Sequence, residues 1–199
     1  MKKYIFFLVS LLTTIFSSSA KADVLLNPYL GIQAGIGSYE YTQKAGIDYS
    51  SIMPKNNQAM GFFLGFDIND YFYFEFGYDS TKAAHKATGG QYGIDSVNSQ
   101  IILMRYDLGL KIPIGITNYQ ILGIFGAVQG INSVKFTGAT VNGAAQQGGY
   151  SFGYEYGIGV KKDFSQDIFG RINMIKQNLS FDGIANGGTL YSIGFGVKF

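Results

Sequence analysis

The sequence contains no cysteine, which excludes a disulfide framework, thiolate metal ligands and a cysteine nucleophile. Its single histidine, His85, limits any metal centre to oxygen ligands, and no spacing of acidic residues indicates such a site. Only 14% of the residues are charged, well below the ~25% of an average soluble domain. We therefore predict no metal site and no cofactor, and a chain that does not have the surface of an ordinary soluble protein.

Long apolar runs are also missing beyond the N-terminal segment, which argues against a helical membrane protein. That segment has lysines at 2–3, an apolar run at 4–16 and serines at 17–19. Residues 20–22 are Ala-Lys-Ala, with small residues at the two positions that a signal peptidase reads. The order is typical of a secretory signal peptide cleaved after Ala22. The apolar run is shorter than the ~20 residues that a membrane-spanning helix needs.

The positive net charge belongs to this leader. The sequence has 15 basic and 13 acidic residues, and removing residues 1–22 takes Lys2, Lys3 and Lys21, which leaves 12 basic residues against 13 acidic ones. A nearly neutral mature chain gives no electrostatic reason to expect a nucleic-acid partner. Its length predicts a single domain over residues 23–199.

Strict alternation of apolar with small or polar residues dominates the mature chain. Successive side chains of a strand point to opposite faces, so each alternating segment has one apolar face. The clearest case is the C-terminal segment, whose apolar set is Tyr191, Ile193, Phe195, Val197 and Phe199. The predicted strands are residues 29–41, 58–68, 71–80, 97–112, 119–131, 150–161, 167–179 and 189–199.

Long and short connections alternate between these strands. The long ones are residues 42–57, 81–96 and 132–149, with a shorter one at 181–188, and the short ones are 69–70, 113–118 and 162–166. Bacterial outer-membrane barrels show this asymmetry, with short turns in the periplasm, and strands in lipid must close because every backbone group needs a partner. We therefore predict an all-β fold, an eight-stranded antiparallel up-and-down transmembrane β-barrel with a filled interior. A β-sandwich would instead carry charges on its outer face.

Two further features of the barrel concern which side chains face the lipid. In the fifth strand, Leu122, Ile124 and Val128 compete with Ile121, Phe125 and Ile131 for the lipid face, and the even set is favoured because it leaves Gln129 inside. Tyrosines near strand ends are expected in the interfacial aromatic girdles. They are Tyr29, Tyr71, Tyr119, Tyr150 and Tyr191, of which Tyr71 and Tyr119 lie on the predicted inward face.

Five charged residues on inward faces lie at similar distances from the periplasmic turns. They are Glu75, Arg105, Asp107, Glu155 and Arg171. Buried charges need partners, so we predict an internal ion-pair network in one layer of the barrel. The network can fill the barrel and fix its register, or it can line an ion or proton path.

Residues 65–71, Gly-Phe-Asp-Ile-Asn-Asp-Tyr, are followed by Glu75-Phe76-Gly77-Tyr78, and the last residue is Phe199. With the leader and the hairpin rhythm, these features resemble the small eight-stranded bacterial outer-membrane β-barrels, the group of the OmpA transmembrane domain, OmpX, Ail and NspA. The resemblance implies a transmembrane protein of a Gram-negative outer membrane, whose C-terminal strand the barrel-assembly machinery recognises. No C-terminal peptidoglycan-binding domain is expected.

The resemblance further implies a non-enzymatic surface protein and antigen with a structural role, whose loops bind host or other extracellular surfaces. Its other expected partners are outer-membrane lipids and lipopolysaccharide, whose phosphates can pair with loop lysines. These lysines are Lys44, Lys55, Lys82, Lys86 and Lys135.

Two alternatives remain open, a narrow porin-like pore and a lipid A acyl-modifying enzyme. Some small barrels with a lipid A palmitoyltransferase activity use one histidine and an Asp-Ser pair, and here His85 lies between Asp79-Ser80 and Asp95-Ser96. The His-x-Ser motif of the deacylase type is not matched, because Ala87 follows His85-Lys86. The spacing does not bring acid, base and nucleophile together by itself.

Overall fold

The computed structural model describes residues 26–44, 47–86, 93–138, 146–181 and 185–199. Its strands are β1 (Asn27–Tyr41), β2 (Gln43–Lys44), β3 (Ile47–Asp48), β4 (Asn56–Asp67), β5 (Phe72–Lys86), β6 (Ser96–Pro113), β7 (Tyr119–Thr137), β8 (Gln146–Asp163), β9 (Ile168–Phe181) and β10 (Ala185–Lys198). Residues Tyr49–Ile52 form a short helix, α1. The predicted signal peptide lies outside the described residues. In the part of the chain that is described, no helix is long and apolar enough to cross a lipid bilayer.

Eight of the described strands form a closed antiparallel barrel in the order β1-β10-β9-β8-β7-β6-β5-β4. β10 closes it by pairing with β1, with Lys198 opposite Tyr29. Following paired residues once around the barrel from Tyr150 leads back to β8 at Val160. This offset is the shear of the barrel, which tilts the strands and leaves an interior that side chains can fill. The predicted fold class is confirmed.

The outward face of the barrel is an apolar and aromatic surface. On β10 the predicted outward residues from Tyr191 to Val197 are exposed, and so is Phe199, which follows the strand. Other strands add aromatic pairs, such as Phe62 of β4 and Tyr78 of β5, whose rings stack with centroids 5.2 Å apart. Such a band is costly in water and suits contact with lipid.

The predicted facing of the fifth barrel strand, β7, is wrong. The residues assigned to the lipid face are buried inside: Leu122, Ile124 and Val128. Phe125 is exposed instead, and it lies opposite Leu108 and Tyr156, which are also exposed. Gln129 lies on this outward face as well, opposite Phe152. The interior is apolar at this level because Leu122 and Ile124 join a cluster of aromatic side chains from other strands, so a polar inward face was the wrong assumption here.

Several strands extend further towards the extracellular side than predicted. β5 continues to Lys86, β7 continues to Thr137, and β8 begins at Gln146. In the extension of β7 the polar side chains face outward, since Val134 is buried inside whereas Lys135 is exposed outside, and Val97 and Asn98 at the extracellular end of β6 show the same pattern. Beyond the lipid the outward face meets water, so the apolar outward pattern ends while the strand continues.

The described residues of the first long connection, 43–44 and 47–55, form a small unit, and we call the segment 43–55 the cap. β2 and β3 pair with each other, and the Asp48 side chain accepts a 3.0 Å hydrogen bond from the Ser50 amide at the start of α1. The cap buries Tyr49, Ile52 and Met53 against inward side chains at the extracellular ends of β6 and β7. The prediction of an irregular loop over residues 42–57 is therefore wrong, because this apolar trio anchors the segment.

Candidate functional site

Arg105 lies at the centre of a charged layer in the barrel interior. Its Nε is 3.1 Å from Asp79 Oδ2 and 3.7 Å from Glu155 Oε1. Its Nη2 is 3.5 Å from Glu75 Oε1 and 3.8 Å from Asp107 Oδ2. The arginine side chain is fully buried, and these carboxylates stabilise its positive charge away from water.

Arg171 extends the layer through Glu75. Its Nη2 donates to Glu75 Oε1 at 2.8 Å and to Gln33 Oε1 at 3.2 Å, and its guanidinium carbon lies 3.5 Å from the centre of the Phe63 ring. The Tyr29 hydroxyl donates to Glu75 Oε2 at 3.1 Å. Tyr29 is thus an interior residue, and its predicted place in an outer aromatic girdle is wrong. The bidentate geometry between Arg171 and Glu75 fixes the two strands that carry them relative to each other.

The structure places Glu75, Arg105, Asp107, Glu155 and Arg171 together in this layer. Residues that the sequence interpretation left out of the network also belong to it. Gln33 Nε2 donates to Asp79 Oδ1 at 2.5 Å, and Gln177 Nε2 donates to Glu155 Oε2 at 3.0 Å. The signal for Asp79 was its odd position on β5, which places it on the same inward face as Glu75.

Inward glycines make room for the long side chains of the layer. Gly77 lies opposite Arg105, and a Cβ atom at Gly77 would come within 2.5 Å of Arg105 Nη2. Gly126 lies opposite Asp107, and a Cβ atom there would overlap the Asp107 carboxylate. Small residues paired with large ones let a narrow barrel close without voids or clashes.

Apolar side chains enclose the charged layer on both sides. One cluster lies mainly towards the periplasm and includes Phe63, Tyr73 and Phe169. A second lies towards the outside and includes Leu103 and Phe181, with the cap cluster beyond it. A cavity of about 10 Å³ is lined by residues that include Tyr29, Lys111 and Arg171, which is room for one water molecule. The described interior is therefore filled in the way expected of a small barrel.

Ion pairs also occupy the periplasmic mouth. Lys111 Nζ is 2.8 Å from Asp67 Oδ1, and Lys198 Nζ is 2.7 Å from Asp163 Oδ1. Lys161 Nζ lies 3.7 Å from the same Asp163 oxygen. Together these side chains form a second polar layer beneath the apolar cluster.

The lysines predicted to meet lipopolysaccharide lie in the extracellular part of the chain. Lys55 is exposed on the cap, and Lys82 and Lys135 are exposed on the outer surface of β5 and β7. Lys82 lies opposite Gln58 and Gln100, in a polar band above the apolar one. The side chains of Lys44 and Lys86 lie outside the described part of the structure.

The residues of the enzyme alternative are separated where they are described. Asp79 points into the barrel, where Gln33 and Arg105 engage it, whereas Ser80 faces outward and accepts a 3.2 Å hydrogen bond from Gln100. Asp95 is exposed, and the Ser96 hydroxyl is hydrogen-bonded to the Thr137 hydroxyl. The side chain of His85 lies outside the description. Asp79 and Ser80 therefore do not form an acid and a nucleophile on one face of the strand.

Comparison with known proteins gives the same architecture. A family model described as an outer membrane protein beta-barrel domain matches residues 8–199. The structure of Ail, the attachment invasion locus protein of Yersinia pestis, in complex with the heparin analogue sucrose octasulfate, is similar with a TM-score of 0.57 at 12% identity, covering 87% of this chain and 99% of that one. Neisserial surface protein A is similar with a TM-score of 0.56 at 13% identity, covering 86% of this chain and 97% of that one. A major outer membrane protein from Thermus thermophilus is similar with a TM-score of 0.57 at 12% identity, covering 86% of this chain and 99% of that one. No curated protein sequence matches the chain.

Proposed function

Because the chain belongs to the outer membrane protein beta-barrel domain family and is located in the outer membrane, we propose that it is a non-enzymatic surface protein, which stabilises that membrane and binds extracellular partners through its outer end. The observation that carries the proposal is the filled interior, with Arg105 and its carboxylate partners enclosed by apolar clusters. A barrel with such an interior offers a soluble partner its outer end rather than a lumen.

The cap is suited to recognition because its apolar side chains anchor it to the barrel interior. Tyr49, Ile52 and Met53 are buried, while Ser50 and Ser51 on the same segment are exposed. A surface held in place before binding loses less conformational entropy when a partner arrives. The cap and the extended ends of β5 to β8 therefore form the surface that we assign to binding.

Three exposed lysines of this surface support an anionic partner. Lys55, Lys82 and Lys135 are exposed on it, and their ammonium groups can pair with phosphate or sulfate. Ail, solved with a heparin analogue, supports an anionic glycan as the partner class by analogy of fold alone. Adhesion to anionic host or matrix surfaces is our specific proposal, and the same lysines can pair with neighbouring lipopolysaccharide.

The test is adhesion of a non-adherent bacterial host that expresses the protein. The combined variant Lys55→Gln, Lys82→Gln and Lys135→Gln should reduce binding to heparin-coated surfaces by about tenfold, since each exposed charge contributes ~0.5 kcal/mol. Lys162→Gln is the control for losing a lysine elsewhere on the barrel surface, because it removes one positive charge at the periplasmic end of β8, opposite Tyr119, away from the surface assigned to adhesion. Equal adhesion of the combined variant and the wild type would exclude these lysines as the binding surface.

Replacing the cap, residues 43–55, with a short Gly-Ser linker tests the cap separately. β4 begins at Asn56, so these limits spare the barrel. Adhesion should fall while heat-dependent mobility on a gel shows a folded barrel. Lipid A mass spectrometry of cells with wild type or His85→Ala tests the enzyme alternative, and a changed acyl pattern that depends on His85 would contradict the non-enzymatic proposal.

We also propose the route by which the chain reaches its membrane. The pattern of residues 1–22 supports a cleaved signal peptide. The exposed alternating face of β10, which is followed by Phe199, supports recognition of this strand by the barrel-assembly machinery.

A further inference from the structure

Lys162 lies on the outward face of β8 near its periplasmic end. It is opposite Tyr119 in the β7–β8 ladder. Its Nζ is 4.9 Å from the centre of the Tyr119 ring and 5.5 Å from the centre of the Phe164 ring. Both rings are exposed on the barrel surface. The ammonium group therefore lies against two aromatic rings at the edge of the lipid-facing band.

The position of Phe164 is fixed by its neighbours. Its ring lies over Gly170, where a Cβ atom would come within 2.9 Å of it, and stacks on Phe195 with centroids 6.5 Å apart. On the membrane side of Lys162, the outward residues Val160 and Ile121 are exposed and apolar. The cation is therefore next to a surface along which an acyl chain can lie.

Lys162 differs from the other outward-facing lysine on the adjacent strand. Lys176 of β9, towards the extracellular end, has a counter-charge 3.2 Å away in Glu40. The ion pairs among the described residues do not include Lys162, and the neighbouring Asp163 is engaged by Lys198 and Lys161. A cation at the membrane interface without a protein carboxylate gains from an external anion.

We propose that Lys162, Tyr119 and Phe164 form a binding site for the phosphate of a glycerophospholipid in the periplasmic leaflet of the outer membrane. Aromatic residues at barrel ends lie at the level of the lipid headgroups. The ammonium supplies three hydrogen-bond donors to the phosphate oxygens, and the rings keep it at this depth through cation–π contact. The adjacent apolar face of Ile121 and Val160 favours a lipid over free phosphate.

Native mass spectrometry of the mature barrel released from nanodiscs tests this site. The nanodiscs contain equal amounts of phosphatidylglycerol, whose headgroup has a net charge, and phosphatidylcholine, whose headgroup does not. Lys162→Gln should lower the ratio of bound to unbound protein for phosphatidylglycerol by about fivefold, the factor for one lysine at an anionic membrane surface. Lys162→Arg should retain the lipid.

Lys176→Gln is the matched control, since it removes an outward lysine that already has a protein partner, and it should leave lipid retention unchanged. Tyr119→Leu with Phe164→Leu should weaken retention while keeping the charge. The site is disproved if Lys162→Gln and Lys176→Gln barrels, both folded by circular dichroism, retain phosphatidylglycerol as the wild type does. Inorganic phosphate can also be added at the same concentration of negative charge as the lipid. If it displaced the phosphatidylglycerol, the site would not prefer a lipid over free phosphate.

Discussion

Arg105 has four carboxylates within 3.8 Å and no exposure to solvent. Arg105→Met would leave these carboxylates with Arg171 as the remaining cation of the layer. Removing one partner of a buried ion pair costs ~3–5 kcal/mol, because the other charge stays buried. We expect a loss of this size in the free energy of unfolding, measured by urea titration of the barrel refolded in lipid vesicles and followed by circular dichroism.

Lys176→Met is the control for Arg105→Met. The Lys176–Glu40 pair is exposed on the outer surface, and such pairs contribute about 0–1 kcal/mol. If both methionine variants unfolded at the same urea concentration as the wild type, the charged layer would not stabilise the barrel.

Residues of this layer could be predicted where a charged residue lies on the inward face of a clearly alternating strand. Glu75 and Arg105 are charged residues within strands whose other face is apolar, so alternation alone places them inside. Asp79 had the same inward position, but it lay beside Ser80 at the edge of a presumed loop. Its role became clear only because β5 continues to Lys86. Gln33 and Gln177 carry no charge, and only the register around the barrel shows that they reach Asp79 and Glu155.

Among the strands, β10 could be predicted from sequence and the facing of β7 could not. The alternation of β10 has one aromatic face and one face of small or polar residues. In β7 both faces are apolar, so the facing depends on which set matches the ladder of β6 and β8 and fills the space beside Phe169. The extracellular strand ends were missed for a related reason, because an outward polar face above the lipid resembles a loop in sequence.

Alanine at two glycines of β7 tests its facing. At Gly126 a Cβ atom would lie 2.5 Å from the Tyr106 carbonyl oxygen and overlap the Asp107 carboxylate, whereas at Gly123 the nearest atom, Leu110 Cβ, is 3.6 Å away. Gly126→Ala should destabilise the barrel by ~1–3 kcal/mol through overpacking. Gly123→Ala should change stability by less than ~0.5 kcal/mol. The same urea titration measures both, and the opposite order would restore the facing inferred from sequence.

The whole molecule combines charged and apolar layers in one closed wall. Ion pairs at the periplasmic mouth, an apolar cluster, the Arg105 layer, a second apolar cluster and the cap follow one another along the described interior. Each polar layer can orient strands, and each apolar layer separates the charges from water. This order explains how charges inside the described part of the barrel can be kept away from water.

The layered interior predicts that the protein does not conduct ions. An ion would have to cross two apolar clusters, where leaving water costs several kcal/mol. In planar bilayers at high salt we expect no unitary current from the wild type. Replacing the cap, residues 43–55, with a Gly-Ser linker should also give none, because the clusters around Phe63 and Leu103 remain. A general porin under the same conditions confirms detection. Discrete openings in the wild type that Arg105→Met changes would show instead that the charged layer lines an ion path.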